Sequence, residues 1–447
     1  MKPTRILLFI VCCMLGLAVL CLLLPGRIGI GDYTLRWPTL GQVLGQSTAS
    51  QPMPDTNTPA YAEDWDIPEF PVFMDTIPYD TEEEAAPDQR PVAHPTVSVD
   101  STIDSRVYLG SFYAALETSG TRKVRVMHYG DSQIEEDRMT QQIRQALQSR
   151  YGGAGVGLVP LVQTIPSRTV HQEVRMNGRK LSAQQGPQRY LVYGPKRTQR
   201  TDGLYGPMGQ AAVMADSLVQ GSEQLQAVVV PLDGGPRYKT MRPIVDSTIA
   251  YTRTGDTLYL SGCGNVYGIT QETPTGVIVD NIPMRGCLGL VFTKIDSAQL
   301  ARFYAEENVR LIIMQYGGNA IPFNDTPSTI RAIVWGLRQQ VRYLQTCAPE
   351  ASILFIGPSD MITSIDGVEQ TYPMVPYMDR LLQAMAQEEG IAYFSLYHWM
   401  GGSGSMARWQ KNGLAGSDGV HFLRSGARKA GNAVAEWILE GMDNCEL

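Results

Sequence analysis

The amino-acid sequence predicts an α/β domain in which helices cover both faces of a parallel sheet, with an all-β module inserted into it and a membrane segment before it. Two observations favour the α/β domain: apolar segments of strand length recur along the chain, and amphipathic helical patterns separate them. A third observation, a region of short alternating segments broken by turn residues, favours the all-β module.

The composition sets broad limits on the class of protein. The chain has 447 residues, of which 43% are hydrophobic, so it can build two or three domains with buried cores, and wholesale disorder is excluded. The formal net charge of −7 argues against a nucleic-acid partner, because such proteins usually carry a basic excess. The charge is uneven: residues 51–100 hold 12 acidic residues against Arg90 alone, whereas residues 101–447 are nearly neutral.

Residues 1–26 are typical of a membrane segment. Lys2 and Arg5 precede an apolar run of 19 residues, 6–24, which as a helix can cross a hydrocarbon layer of roughly 30 Å. Three leucines stand where a cleavage site needs small residues, so we favour an uncleaved anchor over a removed signal peptide. The basic flank predicts that the rest of the chain lies outside the cytoplasm, on the periplasmic side. Residues 27–100, which follow, are predicted to form an acidic, Pro-rich tether.

Residues 101–165 and 281–447 carry the α/β pattern. Val124–His128 is a β-rich segment that ends at Gly130, and an amphipathic stretch from Met139 to Leu147 follows it. Strand-like and helical segments then alternate to the C-terminus. The further strands are predicted at Val309–Gln315, Ile353–Ile356 and Ile391–Ser395, and the helices at Thr329–Leu344, Tyr377–Gln387 and Ala427–Leu439.

Residues 166–280 have a different sequence pattern. Short alternating segments are separated by turn signals such as Asn177-Gly178 and Thr254-Gly255, which is typical of antiparallel strands in a sandwich or jelly roll. The predicted strands are Glu173–Met176, Tyr190–Tyr193, Ala227–Val230, Thr248–Tyr251 and Thr257–Leu260.

The first candidate site residue is Ser132, in Gly130-Asp131-Ser132 at the end of the first predicted strand. A serine there has its hydroxyl at the carboxyl edge of a parallel sheet and its N–H at the start of a helix, where donors favour developing negative charge. Asp131 is better suited to accept a hydrogen bond that holds the turn than to act as an acid or a base. The same three residues also form ordinary turns and helix caps, so the motif alone does not decide.

The second candidate is the pair Asp418 and His421, shortly before the C-terminal helix. Of the five histidines, only His421 has an acidic residue three positions before it. An aspartate so placed can accept from one ring nitrogen and leave the other as general base for a serine. An incidental histidine beside an Asp-Gly turn is the alternative.

Two further residues fit an oxyanion hole. Asn319 follows Gly317 and Gly318 just after a predicted strand, where its amide can reach over the sheet edge. Gly286, after another strand, offers a backbone N–H. Taken singly, each also fits a plain turn.

The order Ser132, Gly286, Asn319 and Asp418-x-x-His421 resembles the SGNH (GDSL-like) hydrolase family. The resemblance implies a three-layer α/β/α fold with Ser132 as nucleophile, His421 as base and Asp418 orienting it. It also implies an oxyanion hole made by the N–H groups of Ser132 and Gly286 with the Asn319 amide. Gln133 and Ala320 depart from the pattern, since many members have Leu and Asp there.

A narrower resemblance is to extracytoplasmic peptidoglycan O-acetylesterases with an inserted, carbohydrate-binding-like β-sandwich. It rests on Tyr129–Gln133 with Glu136 and Asp137 following, on Tyr151–Gly157, and on the segment from Tyr267 to Asp280. This resemblance implies a serine esterase that removes acetyl or other short acyl groups from an envelope or extracellular glycan.

Two other functions stay open at this point. A glycan O-acyltransferase would use the same serine and pass the acyl group to a sugar instead of water, and a non-catalytic glycan-binding protein would use the insert alone. The sequence has no metal-ligand cluster, phosphate-binding loop or dinucleotide motif, so we expect no cofactor. The expected partners are an acylated glycan and, through the N-terminal segment, a membrane.

Overall fold

A computed structural model describes most of the chain from residue 103 onward and a short hairpin before it. The described residues are 27–30, 33–36, 103–160, 167–175, 179–182, 210–215, 225–231, 240–245, 249–255, 257–262, 264–365 and 367–445. The chain divides into two compact units, Met1–Ile77 and Pro78–Leu447. In the first unit, Arg27–Ile30 (β1) pairs antiparallel with Tyr33–Arg36 (β2).

The predicted membrane segment at 6–24 lies outside the described residues, as does the acidic stretch 51–100. Among the residues that are described, no helix is long and apolar enough to cross a membrane.

The second unit contains both strands and helices. Its strands are Lys123–Gly130 (β3), Gly157–Val159 (β4), Val170–Arg175 (β5), Arg179–Ser182 (β6), Gln210–Ala215 (β7), Leu225–Pro231 (β8), Thr240–Val245 (β9), Ile249–Thr254 (β10), Thr257–Gly262 (β11), Gly264–Glu272 (β12), Gly276–Pro283 (β13), Val309–Gln315 (β14), Ser352–Ile356 (β15), Ile362–Ile365 (β16), Val368–Thr371 (β17) and Ala392–Phe394 (β18). Its α-helices are Gly110–Leu116 (α1), Thr140–Tyr151 (α2), Ser297–Glu306 (α3), Pro327–Cys347 (α4), Val375–Glu388 (α5), Leu396–Met400 (α6), Ser405–Lys411 (α7) and Arg424–Cys445 (α8).

A five-stranded parallel sheet forms the centre of this unit, in the order β13-β3-β14-β15-β18. Strand β3 comes first in the chain, and the strands that follow it are added on both of its sides. The register brings Gly130 beside Pro283 on one side and Gln315 on the other, so three strands end together at one edge. In open α/β sheets, ligand sites lie at the point where the strand order reverses.

Helices cover both faces of the parallel sheet. On one face, Met127 and Ile312 pack with residues of α3, α4 and α5 such as Leu300, Leu337 and Leu382. On the other face, strand residues such as Val126 pack with residues of α1, α2 and α8. The predicted α/β layers with a parallel sheet are therefore confirmed.

Helix α4 illustrates why the predicted elements form where they do. Thr326 caps it by accepting from Thr329 N, and Pro327 occupies the first turn, where no backbone donor is needed. Ile330, Ile333 and Leu337 then recur at helical spacing and are buried. The helix extends a few residues beyond the predicted 329–344 at each end.

Antiparallel strands lie between β3 and β13 in the chain. They form a four-stranded sheet, β10-β11-β8-β5, and a second sheet in which β12 pairs with β4, β7 and β9 and β7 pairs with β6. The predicted strand at Tyr190–Tyr193 lies outside the described residues. Strand β13 pairs in parallel with β3 from Gly276 onward, so the sequence boundary at 280/281 falls inside a strand of the central sheet.

Candidate active site

Ser132 lies immediately after the carboxyl end of β3. Gly130 allows the close approach of the chain there, since a Cβ on it would lie 2.9 Å from Ile134 Cδ1 and 3.3 Å from Gln315 O. Asp131 caps the short 3₁₀ helix Ser132–Asp137 by accepting from Gln133 N at 2.9 Å. The strand end and the cap together hold the serine at the sheet edge.

A hydrogen-bonded chain joins Ser132, His421 and Asp418. Ser132 Oγ lies 2.8 Å from His421 Nε2, and His421 Nδ1 lies 2.7 Å from Asp418 Oδ2. The serine and the carboxylate therefore occupy opposite nitrogens of one imidazole ring. This is the arrangement that lets a ring nitrogen take a proton from a serine hydroxyl.

Asp418 is held as an anion. Burial alone raises its pKa, but hydrogen bonds from the His421 ring and from the N–H groups of Val420 and His421 outweigh burial and lower the pKa to about 2. Gly419 has φ of 71°, and a Cβ on it would lie 2.9 Å from Ile362 Cβ, so the loop requires glycine there. Ile362 N also donates to Gly419 O at 2.9 Å, which ties the β16–β17 hairpin to this loop.

Asn319 lies beside Asp131 rather than in open space. Its Nδ2 donates to Asp131 Oδ2 at 3.1 Å and to Cys287 O at 3.2 Å. Both N–H groups of the amide thus have protein acceptors, so donation to an oxyanion requires one of these hydrogens to be shared. Gly286, with φ of 68°, is the residue before Cys287 and lies in the same turn.

Burial raises the pKa of the Asp131 carboxyl to about 6, although Gln133 N and the His421 ring act in the opposite direction. The side chain is 5% exposed, which explains the size of the effect.

Gln133 was noted in the sequence only as a departure from the family pattern. Its Nε2 donates to Val420 O at 2.6 Å, and its Oε1 accepts from Phe422 N at 3.4 Å. The residue after Ser132 therefore holds the loop that carries His421. No local pattern indicates this contact, because the partners are 287 and 289 positions away.

A cleft that is partly open to solvent adjoins Ser132 and Asn319. Polar and apolar side chains line it in about equal number, and the Phe323 ring is 60% exposed. The cleft is lined by Asp131, Ser132, Gln133, Gln315, Tyr316, Gly318, Asn319, Pro322, Phe323, Gly357, Pro358, Ser359, Met361, Leu396 and Val420. Within the described residues, no group of three His, Cys, Asp or Glu side chains is arranged to hold a metal ion.

A second serine, histidine and aspartate also meet, at the start of α6, but in a different arrangement. His398 Nδ1 lies 2.8 Å from both Ser395 Oγ and Asp379 Oδ2. Because one ring nitrogen contacts both partners, the ring does not link the carboxylate to the serine through its two nitrogens. Ser395 instead caps α6 by accepting from His398 N at 3.0 Å.

No protein-family model matches the chain. No curated protein matches it either. Among solved structures, the chain is similar to one described as "Peptidoglycan O-acetylesterase in action, 5 min", with 20% identity and a TM-score of 0.57 over 75% of this chain and 96% of that chain. An acetyl xylan esterase matches with 13% identity and a TM-score of 0.26 over 37% of this chain and 80% of its own. A family 3 carbohydrate esterase of Clostridium thermocellum matches with 12% identity and a TM-score of 0.26 over 37% and 72%.

The first of these similarities spans almost the whole of the other chain and most of this one. The chain therefore has the fold of that esterase, and the predicted SGNH-like fold is confirmed.

Proposed function

We propose that this SGNH-like protein is a serine esterase that removes acetyl or other short acyl groups from an envelope or extracellular glycan. The observation that carries the proposal is the chain of contacts from Ser132 Oγ through His421 to Asp418, at 2.8 and 2.7 Å. It lies at the strand-order reversal of a fold shared with a peptidoglycan O-acetylesterase, so peptidoglycan is the first glycan to test.

In the proposed reaction, His421 Nε2 takes the proton from Ser132 Oγ as the oxygen attacks the ester carbonyl carbon. The carbonyl oxygen becomes an oxyanion, His421 returns the proton to the departing sugar oxygen, and the acyl group stays on Ser132. Water then attacks the acyl-enzyme with His421 again as base, which releases the carboxylic acid and restores Ser132. Asp418 stabilises the imidazolium in both steps.

The oxyanion would be held by the N–H groups of Ser132 and Gly286 and by the Asn319 amide. Losing one donor of this kind typically lowers kcat about 10²–10³-fold. The current partners of Asn319, Asp131 Oδ2 and Cys287 O, orient its amide at the edge of the cleft. Asp131 is proposed as the supporting acceptor that fixes this orientation.

The remaining parts of the chain complete the proposal. We propose that the antiparallel strands after residue 166 form an inserted sandwich that binds carbohydrate, and that the N-terminal segment anchors or exports the enzyme to the periplasmic side. The tether would give the catalytic domain reach toward the wall. The described strands of this region pair antiparallel in two sheets, as a sandwich requires.

The test is acetate release by the full chain from O-acetylated peptidoglycan, acetylated xylan and an aryl acetate. We expect Ser132→Ala to lower the rate by at least about 10³-fold. Ser395→Ala makes the same chemical change in the other serine, histidine and aspartate cluster and is expected to leave the rate unchanged.

Three outcomes would contradict the proposal. Transfer of the acetyl group to an added sugar in preference to water would indicate an acyltransferase. Equal glycan binding by the wild type and Ser132→Ala, with no ester cleavage by either, would indicate a binding protein. Full activity in Ser132→Ala would exclude Ser132 as the nucleophile.

A further inference from the structure

The backbone directly after the nucleophile is held in an uncommon conformation. Glu136 and Asp137 have φ of 60° and 64°, in the left-handed region that non-glycine residues seldom adopt. Such a conformation persists only where the surroundings impose it. Here Asp137 accepts from Arg144 Nη2 at 3.0 Å, and Glu136 pairs with Arg168 at 2.5 Å.

The strained loop directs the Glu135 side chain into the protein. Glu135 is 3% exposed, and its two carboxylate oxygens accept from Arg285 Nε at 2.9 Å and Arg285 Nη2 at 2.6 Å. This hydrogen bonding raises the pKa of the Arg285 guanidinium. A two-point contact of this kind fixes both the distance and the orientation of the two groups.

Arg285 belongs to the turn Met284–Cys287, which also contains the proposed oxyanion donor Gly286. Cys287 N donates to Met284 O at 3.0 Å, and Gly286 has φ of 68°, as the third residue of a type II turn requires. The bond that closes this turn does not use the Gly286 N–H. Asn319 contacts the turn at Cys287 O.

We propose that Glu135 is a positioning residue that acts through Arg285 to aim the Gly286 N–H at the oxyanion. The inference rests on the proposed function. Glu135 is three residues after Ser132, so the same short segment carries the nucleophile and anchors the donor opposite it. A third contact, from Arg138 Nε to Glu135 O at 3.0 Å, joins this segment to the His421 loop, because Arg138 Nη1 also donates to Phe422 O at 3.2 Å.

Positional accuracy is the physical reason why the pair matters. An oxyanion donor stabilises the transition state only within a narrow range of distance and angle, and a misplacement of about 1 Å can lower the rate roughly 10²-fold. Without the Arg285 contact, the turn would keep its Met284–Cys287 bond but lose an external fixed point beside Gly286.

The experiment compares Glu135→Gln and Arg285→Lys with a matched control in the full chain. The control is Glu389→Gln, which breaks another two-point pair, with Arg342 Nε at 2.9 Å and Nη2 at 2.8 Å. We expect Glu135→Gln to lower kcat on an aryl acetate about 10–100-fold with KM within about 3-fold, since the oxyanion contact forms in the transition state. Arg285→Lys keeps the charge and should lose less, and the control should lose nothing.

Affinity for a boronic acid, which forms a tetrahedral anion on the serine, separates positioning from a merely structural role. We expect it to fall in Glu135→Gln by the same factor as kcat/KM, while the thermal midpoint of Arg285→Lys stays near that of the wild type. Unchanged kcat in both variants, or a loss of kcat that the boronic acid affinity does not follow, would overturn the inference. Failure of the proposed function is recognised separately, because the wild type would then hydrolyse no ester or Ser132→Ala would remain active.

Discussion

At the scale of single residues, Gln133 connects the two halves of the proposed catalytic site. Its amide bonds to Val420 O and Phe422 N, on either side of His421. Gln133→Leu, the residue that many SGNH members have, removes both contacts while keeping the volume similar. We expect kcat on an aryl acetate to fall about 10-fold, because His421 would be less well oriented toward Ser132.

The control for Gln133 is Ser359→Ala. Ser359 lines the same cleft but contacts Gln133 Nε2 only at 3.5 Å. Equal kcat in Gln133→Leu and the wild type would show that the His421 loop needs no support from this side chain.

Asp131 should make stability depend on pH. Its folded pKa of about 6 lies above its ordinary value of 3.8, because burial disfavours the charged form. The native state then binds more protons than the unfolded state between these values, so this group lowers the free energy of unfolding as pH rises through that window. One pKa unit corresponds to about 1.36 kcal/mol, so the effect is on the order of 3 kcal/mol at most.

Asp131→Asn removes the titration, and any cost of placing two amides side by side does not change with pH. We therefore expect the variant to gain stability relative to the wild type between about pH 4.5 and pH 7, measured by urea unfolding at each pH. A stability difference that stays constant over this range would contradict the raised pKa.

Phe323 should contact the sugar of the proposed glycan substrate. Its ring is 60% exposed at the cleft beside Asn319, and aromatic faces offer an apolar surface to ligands. Phe323→Ala is expected to raise KM for an acetylated oligosaccharide about 5-fold or more while leaving KM for an aryl acetate unchanged. Trp335→Ala, at a ring that is 57% exposed on α4, is the control and should change neither.

The site residues divide into those that sequence could indicate and those that it could not. Ser132, and Asp418 with His421, sit in short motifs whose chemistry is local. Gln133 and the pairing of Glu135 with Arg285 act across 150 or more positions, and only folding brings them together. The sequence predicts that the Asn319 amide donates hydrogen bonds. The acceptors that it contacts are set by the packing of loops that lie far apart in the sequence.

At the scale of secondary-structure elements, buried strands were the easiest to predict. Strand β14 has the bounds expected from its apolar run, since a strand covered on both faces has few polar residues. The hairpin of β16 and β17 gave no such signal, because its residues are largely exposed and each strand has four residues. Its importance comes from its contact with Gly419, which no periodicity reveals.

A buried cluster of charges joins the central sheet to the antiparallel strands. Arg125 on β3 is 1% exposed and contacts Asp280 on β13 at 3.0 Å and Glu272 on β12. Lys123 and Glu307 extend the cluster, with Lys123 Nζ 2.6 Å from Glu307 Oε2. Burial raises the pKa of Glu272, but the positive charges of Arg125 and Lys123 outweigh burial and lower this pKa to about 2.

Removing Arg125 should therefore leave buried carboxylates without their main counter-charge. We expect Arg125→Met to lower the free energy of unfolding by about 3–5 kcal/mol, measured in urea. Arg342→Met breaks an ion pair of an arginine that is 55% exposed, and it should leave the free energy of unfolding almost unchanged. If the two variants lost similar free energies of unfolding, burial would not strengthen the contacts of Arg125.

At the scale of the whole molecule, the acidic net charge and the proposed chemistry belong to different parts of the chain. Residues 51–100 hold 12 acidic residues against Arg90, whereas residues 101–447 are nearly neutral. Among the described residues, one hydrophobic cluster begins at Leu109 and the other at Met127, and the proposed site extends from Asp131 to His421. Folding and hydrolysis should thus need nothing before residue 101.

This separation predicts the behaviour of a fragment made of residues 101–447. Its kcat/KM on a soluble aryl acetate should equal that of the full chain within about 2-fold, because all of the contacts that orient Ser132, His421 and Asp418 remain. Its isoelectric point should rise from near 5.4 toward neutrality, since the acidic stretch is gone. Both are measured on the two purified proteins in the same detergent buffer, with Ser132→Ala in each as the blank. A fragment that folds, shows the expected isoelectric point and yet hydrolyses the ester more than about 10-fold slower would mean that residues 1–100 contribute to the site, and that the acidic stretch is more than a spacer.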